Sequence, residues 1–342
     1  MNRYAPPPEL PALRQTVLPV FIPFAGCPGR CVYCAQHLQT RQAPVEHFAQ
    51  IRDSLDATLQ MAKNAGHRGA ELAFYGGTFT LLPQAWQEEL LSAVRPWQER
   101  GIIKNLRCST RPDAVPDETL RRLKALGMTC IELGVQSFAD AVLTASKRGY
   151  GGAEAEAACI RARAHGFALG VQLLPGLPGM ADADFRADVA RCLELAPDFV
   201  RLYPCLVLRD TPLAADWEGG HFQPWGLELT TRLLAEAMLL FQKARIGVAR
   251  VGLPLADGFS EAVLAGPAHP ALGDMAQGLA LYYWIKEQLK NTPYPVRGLS
   301  VPRARQGTFW GQKGALKPAY AALGLSPEHV EFWNWPLFCF RR

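Results

Sequence analysis

Three cysteines near the start of the chain have the type and spacing of a metal-binding set. Cys27, Cys31 and Cys34 lie in the segment FAGCPGRCVYC, with a C-x3-C-x2-C spacing. A [4Fe-4S] cubane needs an outer ligand on each of four irons, so three thiolates leave one iron open to a reactant. S-adenosylmethionine (SAM) could chelate that open iron through its amino and carboxylate groups.

A histidine keeps a second kind of metal site open. His37 follows Cys34 by three positions and completes a Cys3His set. Such a set binds structural zinc with tetrahedral geometry and no open position. The spacing alone therefore leaves both an iron–sulfur cluster and a zinc ion as hypotheses. The other six cysteines stand alone in the sequence and are expected to be small buried side chains.

A glycine pair forms a second loop that could contact a ligand. The segment FYGGTF at 74–79 contains Gly76 and Gly77 directly after an apolar run. Without a Cβ, glycine lets a ligand approach the bare backbone closely. A Gly-Gly pair is also typical of a simple turn at the end of a strand.

Repeated strand–helix units would position these loops. Short apolar runs alternate with helical patterns, and the sequence predicts six strands at 17–24, 71–75, 106–109, 129–135, 169–174 and 199–203. Six helices are predicted at 45–65, 84–97, 117–126, 153–164, 182–195 and 227–244. The pattern indicates an α/β fold, a partial (β/α)6 TIM-like barrel with its active site at the C-terminal ends of the strands.

The boundaries of three regions follow from this pattern. We predict an N-terminal leader at 1–16, a core barrel at 17–246 and an irregular C-terminal extension at 247–342 that is rich in basic and aromatic residues. Six units rather than eight would leave the barrel open on one side, with room for a large substrate.

The composition is that of a globular protein. Hydrophobic residues make up 49% and charged residues 20% of the 342 residues, which is ordinary for a domain with a buried core. No apolar stretch approaches the length of a membrane span, the N-terminus lacks a signal-peptide pattern, and nine unevenly placed cysteines do not fit a secreted disulfide framework. We therefore expect a cytoplasmic protein without a membrane partner.

The chain resembles the radical SAM superfamily, and within it the Elp3-like branch, which is also similar to the oxygen-independent coproporphyrinogen oxidases. The matching segments lie in family order between about residues 17 and 245: FIPFAGCPGRCVYCAQ, FYGGTFT, STRPDAV, IELGVQSFADAVLTASKRGY, LLPGLPGM and LYPCLVLRDTPLA. The third and last segments favour the Elp3-like side. The acetyltransferase domain of full-length Elp3 proteins is expected to be lacking from a chain of this length.

The resemblance implies a [4Fe-4S] cluster and SAM as cofactors, with Cys27, Cys31 and Cys34 as the cluster ligands. It also implies contacts to SAM from Tyr33 beside the adenine, from the turn Gly76, Gly77 and Thr78 at the methionyl amino group, from Gln136 and Arg148 at the ribose and carboxylate, and from Gln172 near the ribose and adenine. Ser109 stands where many relatives carry a glutamate that contacts SAM. Arg111 is left open as either a ligand contact or a turn residue.

Two classes of function follow from the resemblance. The first is an enzyme that cleaves SAM reductively to generate a 5′-deoxyadenosyl radical for Elp3-like tRNA base modification, with an electron donor of flavodoxin or ferredoxin type. The second is a porphyrin-related enzyme or a non-catalytic carrier of haem or a cluster, as found among relatives of the coproporphyrinogen oxidases.

The C-terminal region could provide the contact with tRNA. Between Lys286 and Arg342 there are nine Lys or Arg residues and three Asp or Glu residues, interspersed with aromatic rings. Cations meet phosphates and flat rings stack on unpaired bases, which favours RNA as a partner. The alternative is that the rings pack back onto the barrel and cover its open side; they are Phe332, Trp333, Trp335, Phe338 and Phe340.

Overall fold

The computed structural model of the chain describes residues 2–7, 16–253 and 259–342. These residues form thirteen strands: β1 Arg3–Ala5, β2 Val17–Ile22, β3 Ala70–Gly76, β4 Ile103–Thr110, β5 Cys130–Gln136, β6 Ala168–Leu173, β7 Phe199–Leu202, β8 Val207–Leu208, β9 Gly247–Val251, β10 Val263–Ala265, β11 Gly298–Pro302, β12 Val330–Trp333 and β13 Phe338–Arg341. The same residues form twelve α-helices: α1 Gln36–Thr40, α2 Phe48–Asn64, α3 Gln84–Glu99, α4 Asp117–Ala125, α5 Asp140–Ala145, α6 Gly152–Ala164, α7 Asp182–Leu195, α8 Pro212–Glu218, α9 Leu227–Lys243, α10 Leu272–Lys290, α11 Gln306–Phe309 and α12 Lys317–Ala321.

A curled sheet of seven parallel strands is the largest element of the fold. Its order, β2-β3-β4-β5-β6-β7-β9, follows the chain, and every neighbouring pair is parallel. Parallel neighbours cannot be joined by a tight turn, so helical crossovers connect most of them. The result is a half-barrel whose strands all end at the same edge.

The outer face of this sheet packs against the helices and forms the main core. Val20, Leu72 and Ile131 are fully buried strand residues. They belong to one apolar cluster with helix residues such as Leu55 and Leu90. Because side chains alternate between the two faces of a strand, burial of this apolar set fixes which residues face the inside of the half-barrel.

A second, smaller core lies under a four-stranded sheet of order β1-β13-β11-β12. Strand β13 pairs antiparallel with both β1 and β11, whereas β12 pairs parallel with β11. The inner face of this sheet buries Leu299, Phe338 and Phe340 against Trp284 of α10. The same helix contributes Ala276 to the main core, so α10 joins the two.

The predicted parallel half-barrel is confirmed, and the six predicted strands and six helices agree with the structure to within a few residues. The structure adds a seventh parallel strand, β9, and orders much of the region expected to be irregular into α10 and the second sheet. Strand β9, GVARV, begins the stretch after residue 246 that is rich in Gly and Pro, and that composition indicates irregular structure. The pattern did not reveal the second sheet because β1 and β13 pair across almost the whole chain.

The predicted leader is only partly described. Residues 3–5 form β1 and pair with β13, while residues 8–15 lie outside the described part of the chain. Among the described helices, none is both long and apolar enough to cross a lipid bilayer.

Candidate functional site

All ten residues predicted to bind the cluster or SAM line one cavity of about 660 Å³. They come from the loop after β2, the turn after β3, strand β5, the segment after α5 and strand β6: Cys27, Cys31, Tyr33, Cys34, Gly76, Gly77, Thr78, Gln136, Arg148 and Gln172. Because parallel strands end at the same edge, segments far apart in the sequence meet there.

The cysteine loop is held by its own backbone and by a neighbouring hydroxyl group. The Cys27 amide donates to the Phe24 carbonyl at 3.0 Å, and the Cys34 amide donates to the Cys31 carbonyl at 3.1 Å. The Cys27 Sγ lies 3.3 Å from the Thr78 Oγ1. The thiols of one tight loop therefore face the cavity together with the glycine turn.

One glutamine joins the cysteine loop to the glycine turn. The Gln36 Oε1 accepts the Phe24 amide at 2.6 Å, and its Nε2 donates to the Gly76 carbonyl at 2.6 Å. The Gly77 amide donates to the Ile22 carbonyl at 2.9 Å. These bonds fix the two loops relative to each other.

The glycine turn also permits close contact between two stretches of backbone. A Cβ on Gly77 would lie 2.0 Å from the Ala25 carbonyl oxygen, and one on Gly26 would lie 2.3 Å from the Thr78 carbonyl oxygen. Neither position could hold a side chain without moving the backbone. In this structure the bare backbone at Gly77 meets the cysteine loop.

Arg148 lies against the second cysteine. Its Nη1 donates to the Cys31 Sγ at 3.0 Å and to the Tyr33 hydroxyl at 3.2 Å, and its Nη2 donates to the Gly134 carbonyl at 2.6 Å. Its Nε donates to the Tyr150 hydroxyl at 2.9 Å. Burial opposes its charge, but Tyr33, Tyr150 and Cys31 raise its pKa overall, so a cation stays beside this sulfur.

Burial makes two of the cavity thiols weak acids. It raises the pKa of Cys27 despite the hydrogen bond from Thr78, and it raises the pKa of Cys34 to about 12, with Cys31 as a further cause. Cysteine nucleophiles are activated by a lowered pKa. The environment of Cys27 and Cys34 is therefore not that of activated nucleophiles.

Two amides in the cavity have side chains with unused acceptors. Gln136 follows a β-bulge, has a φ of 70°, and buries an Oε1 that no described residue contacts by a hydrogen bond. Gln172 lines the same cavity, and its side chain has no hydrogen bond to the described residues. Since buried acceptors are normally satisfied, these amides could accept hydrogen bonds from a ligand.

A buried network of ion pairs on the inner face of the half-barrel was not predicted from the sequence. Arg107 contacts Glu71 at 2.5 Å and Glu132 at 3.2 Å, and the Arg201 Nε lies 2.6 Å from the other Glu132 oxygen. Arg201 also donates to the Tyr75 hydroxyl at 2.6 Å. Glu132, Arg201 and Tyr75 line the cavity. Charged residues in the middle of otherwise apolar strands were the signal that could have revealed them.

The structure also gives positions for the two residues that the sequence left open. Arg111 lines the cavity, pairs with Asp113 through two hydrogen bonds, and donates to the Arg148 carbonyl. His37 is not among the residues that line the cavity, and its ring packs 5.8 Å from that of Phe24. No group of three His, Cys, Asp or Glu side chains in the described ranges converges closely enough to hold a single metal ion.

Curated relatives are about a quarter identical to this chain over the residues that align. The tRNA uridine(34) acetyltransferase of Methanocaldococcus infernus is 25% identical over 257 residues, which are 64% of this chain and 48% of the relative. Elongator complex protein 3 of Mus musculus is 26% identical over 57% of this chain and 40% of its own length. The chain thus spans about half, or less, of the length of these relatives.

Solved structures share the fold. The archaeal Elp3 of Methanocaldococcus infernus superimposes with a TM-score of 0.59 and 22% identity, over 80% of this chain and 63% of that one. Coproporphyrinogen III oxidase from Escherichia coli gives a TM-score of 0.50 and 22% identity, over 70% and 54% of the two chains.

Family models match most of the half-barrel and the region that follows it. The Radical SAM superfamily model matches residues 21–192 and the Radical_SAM C-terminal domain model matches residues 197–279. The first match covers half of the chain and includes the cysteine loop, the glycine turn and strands β3 to β6. The chain is therefore a member of the radical SAM superfamily.

Proposed function

We propose that the chain is a radical SAM enzyme that holds a [4Fe-4S] cluster through Cys27, Cys31 and Cys34 and binds SAM in the same cavity. The observation that carries this proposal is that the three thiols share one cavity with the glycine turn and with the buried Gln136 Oε1, which has no hydrogen-bond partner among the described residues. Together, a bound cluster and SAM supply a 5′-deoxyadenosyl radical through reductive cleavage of SAM.

The donor set fits a cluster better than a single ion. A cubane takes each thiolate on a different iron, so its ligands need not converge on one point. The Arg148 guanidinium at Cys31 and the Thr78 hydroxyl at Cys27 would place hydrogen bonds on two of the three sulfurs. Such bonds tune the reduction potential of a cluster.

The remaining cavity residues would hold SAM. Tyr33 would pack beside the adenine, Gly76–Thr78 would present backbone to the methionyl amino group, and Gln136 and Gln172 would accept the ribose hydroxyls. All three Arg148 side-chain nitrogens already have protein acceptors. Arg148 would therefore meet the SAM carboxylate by exchanging one of these bonds, and its charge favours that anion.

We propose tRNA as the substrate class, because the curated relatives are a tRNA uridine(34) acetyltransferase and an Elongator complex protein. The open side of the half-barrel suits a large substrate, and tRNA modification would place the chain in the cytoplasm. A flavodoxin- or ferredoxin-type donor would supply the electron.

The direct test is anaerobic reconstitution with iron and sulfide, followed by dithionite and SAM. We expect 5′-deoxyadenosine and methionine as products, and their loss in Cys34→Ser. The matched control is Cys159→Ala, which removes a core thiol outside the cavity. A fully loaded cluster that cleaves no SAM with any reductant, with or without tRNA, would instead indicate a non-catalytic carrier.

The substrate class needs its own experiment. Nucleosides from the tRNA of cells with and without this gene should differ in one modified uridine. An identical profile would contradict tRNA modification and leave SAM cleavage as a separate result.

A further inference from the structure

Three aromatic rings form a row on the outer face of the four-stranded sheet. The rings of Tyr4 and Trp333 lie 6.3 Å apart with an interplanar angle of 11°, and those of Trp333 and Trp335 lie 6.2 Å apart at 31°. Side chains alternate along a strand, and the neighbours Ala5 and Phe332 belong to the core on the inner face. Tyr4, Trp333 and Trp335 are called the aromatic row below.

The aromatic row contains the most solvent-exposed aromatic side chains of the described residues. Trp335 is 65% exposed and Tyr4 is 54% exposed, whereas every aromatic side chain outside the row is buried or half-buried among these residues. Trp333 is held between them because its Nε1 donates to the Leu337 carbonyl at 2.9 Å. Neighbouring exposed rings of this kind usually mark a binding surface.

The smaller apolar core is filled without the rings of Tyr4 and Trp335. Of the tail aromatics, Phe309, Tyr320, Phe338 and Phe340 are completely buried. They already fill the space between the sheet and α10. The rings that could pack back onto the protein have done so, whereas Trp335 and Tyr4 remain in solvent.

Unpaired cations flank the same sheet. Arg297 precedes β11, and Arg303 follows Pro302, the residue that pairs with Trp333. Both arginines are exposed, and neither forms an ion pair with a described residue. The Arg341 cation on β13 is paired with Glu331 at 3.3 Å. Unpaired arginines therefore lie at the two ends of β11, and Arg303 is the one beside the position of Trp333.

We propose that the aromatic row binds single-stranded RNA by stacking unpaired bases on its rings, while Arg297 and Arg303 meet the phosphates. An aromatic ring can stack on any unpaired base, and positively charged side chains bind the phosphates of the nucleic-acid backbone. Bases in a duplex are stacked on one another and cannot offer their faces. None of the row residues lines the radical SAM cavity, so this surface is a second site, separate from the proposed chemistry.

The test uses the full chain and a fluorescein-labelled oligouridine of about twelve nucleotides, followed by fluorescence anisotropy and quenching of tryptophan emission. We expect Trp335→Ala to weaken affinity at least about fivefold, and Tyr4→Ala with Trp335→Ala to weaken it further, because each stacked base contributes measurably. The matched control is Met61→Ala, which removes an apolar side chain of similar exposure on α2. It should leave affinity unchanged.

Two further measurements identify the occupant. Arg303→Gln should make the negative slope of log affinity against log salt less steep by about 0.7, whereas Lys63→Gln on α2 should leave the slope unchanged. A duplex of the same length should bind more weakly than the single strand.

Binding unaffected by Tyr4→Ala with Trp335→Ala, or equal binding of duplex and single strand, would overturn the proposal. So would a concentration-dependent dimer that Trp335→Ala abolishes, since the occupant would then be a second copy of this chain. Circular dichroism of each variant checks folding. None of these three outcomes depends on SAM cleavage, so this inference and the proposed function fail separately.

Discussion

The glycine turn beside the cysteine loop has no space for a side chain. At Gly77 an added Cβ would lie 2.0 Å from the Ala25 carbonyl oxygen and 2.7 Å from that of Ile22. Both obstacles are backbone atoms, which cannot rotate away as a flexible side chain could. The position of the cysteines thus depends on a residue that need not touch the cluster at all.

We expect Gly77→Ala to reduce both stability and cluster content. Overpacking of this kind costs about 1–3 kcal/mol or more, and relief by moving the loop would displace the thiols. Urea denaturation and iron analysis measure the two effects. The control is Gly226→Ala, where φ is −75° and a Cβ would meet no atom within 4 Å. Equal stability and equal iron in the two variants would contradict this interpretation.

A buried carboxylate behind the cavity should make stability depend on pH. Asp188 is almost fully buried and accepts the Phe138 amide at 2.7 Å. Burial raises the pKa of Asp188 to about 6. Because this pKa lies above the usual value, the group's contribution to stability is fully present below about pH 4 and is lost as the pH rises through about 6.

Asp188→Asn should therefore stabilise the protein at about pH 7.5 by up to roughly 2–3 kcal/mol. The advantage should shrink as the pH falls to about 5. Denaturation midpoints at both pH values test this. The control is Asp182→Asn. The hydrogen bond from Arg186 lowers the pKa of Asp182, so this carboxylate is charged at both pH values. The difference in denaturation midpoint between Asp182→Asn and wild type should therefore be the same at both pH values. An advantage for Asp188→Asn that grows towards low pH would refute the assignment.

At the scale of elements, charged side chains connect four strands on the inner face of the half-barrel. Glu132 on β5 contacts Arg107 on β4 and Arg201 on β7. Arg107 also reaches Glu71 on β3. The ion network therefore spans β3, β4, β5 and β7, and Glu132 is its centre.

Glu132→Gln should leave two buried cations short of one negative charge. Removing one partner of a buried ion pair costs about 3–5 kcal/mol, and urea denaturation should show a loss of at least about 3 kcal/mol. The matched control is Glu236→Gln, whose partners Arg186 and Arg232 are largely exposed. It should lose less than about 1 kcal/mol. Equal losses in the two variants would exclude a central role for Glu132.

The elements of the half-barrel were predictable because their signals are local. Strand β3 contains the apolar run 72–75 and ends at the glycine turn, and α7 begins and ends where the sequence predicted. Strand β9 and the pairing of β1 with β13 depend on distant partners. No short segment of the sequence contains that information.

The site was partly predictable for a related reason. Loops that follow parallel strands meet at one edge, so the cysteines, the glycine turn and Gln136 could be expected to lie together. What the sequence could not show is which side chains contact one another. The bond from Arg148 to the Cys31 sulfur and the Gln36 link between two loops arise only from the folded geometry.

At the scale of the whole molecule, two apolar cores share one helix. The half-barrel carries the cavity with its cysteines, and the four-stranded sheet carries the aromatic row on its outer face. Helix α10 contributes Ala276 to one core and Ile285 to the other. The proposed SAM chemistry and the proposed RNA surface are therefore built on separate sheets of one protein.

The central claim is that the three thiols hold an iron–sulfur cluster and that His37 is not a metal ligand. Iron, acid-labile sulfide and zinc should be measured in anaerobically prepared wild type, Cys34→Ser and His37→Ala. We predict equal amounts of iron and sulfide in wild type and in His37→Ala, and their loss in Cys34→Ser. Stoichiometric zinc without sulfide in wild type, lost in His37→Ala, would contradict the claim.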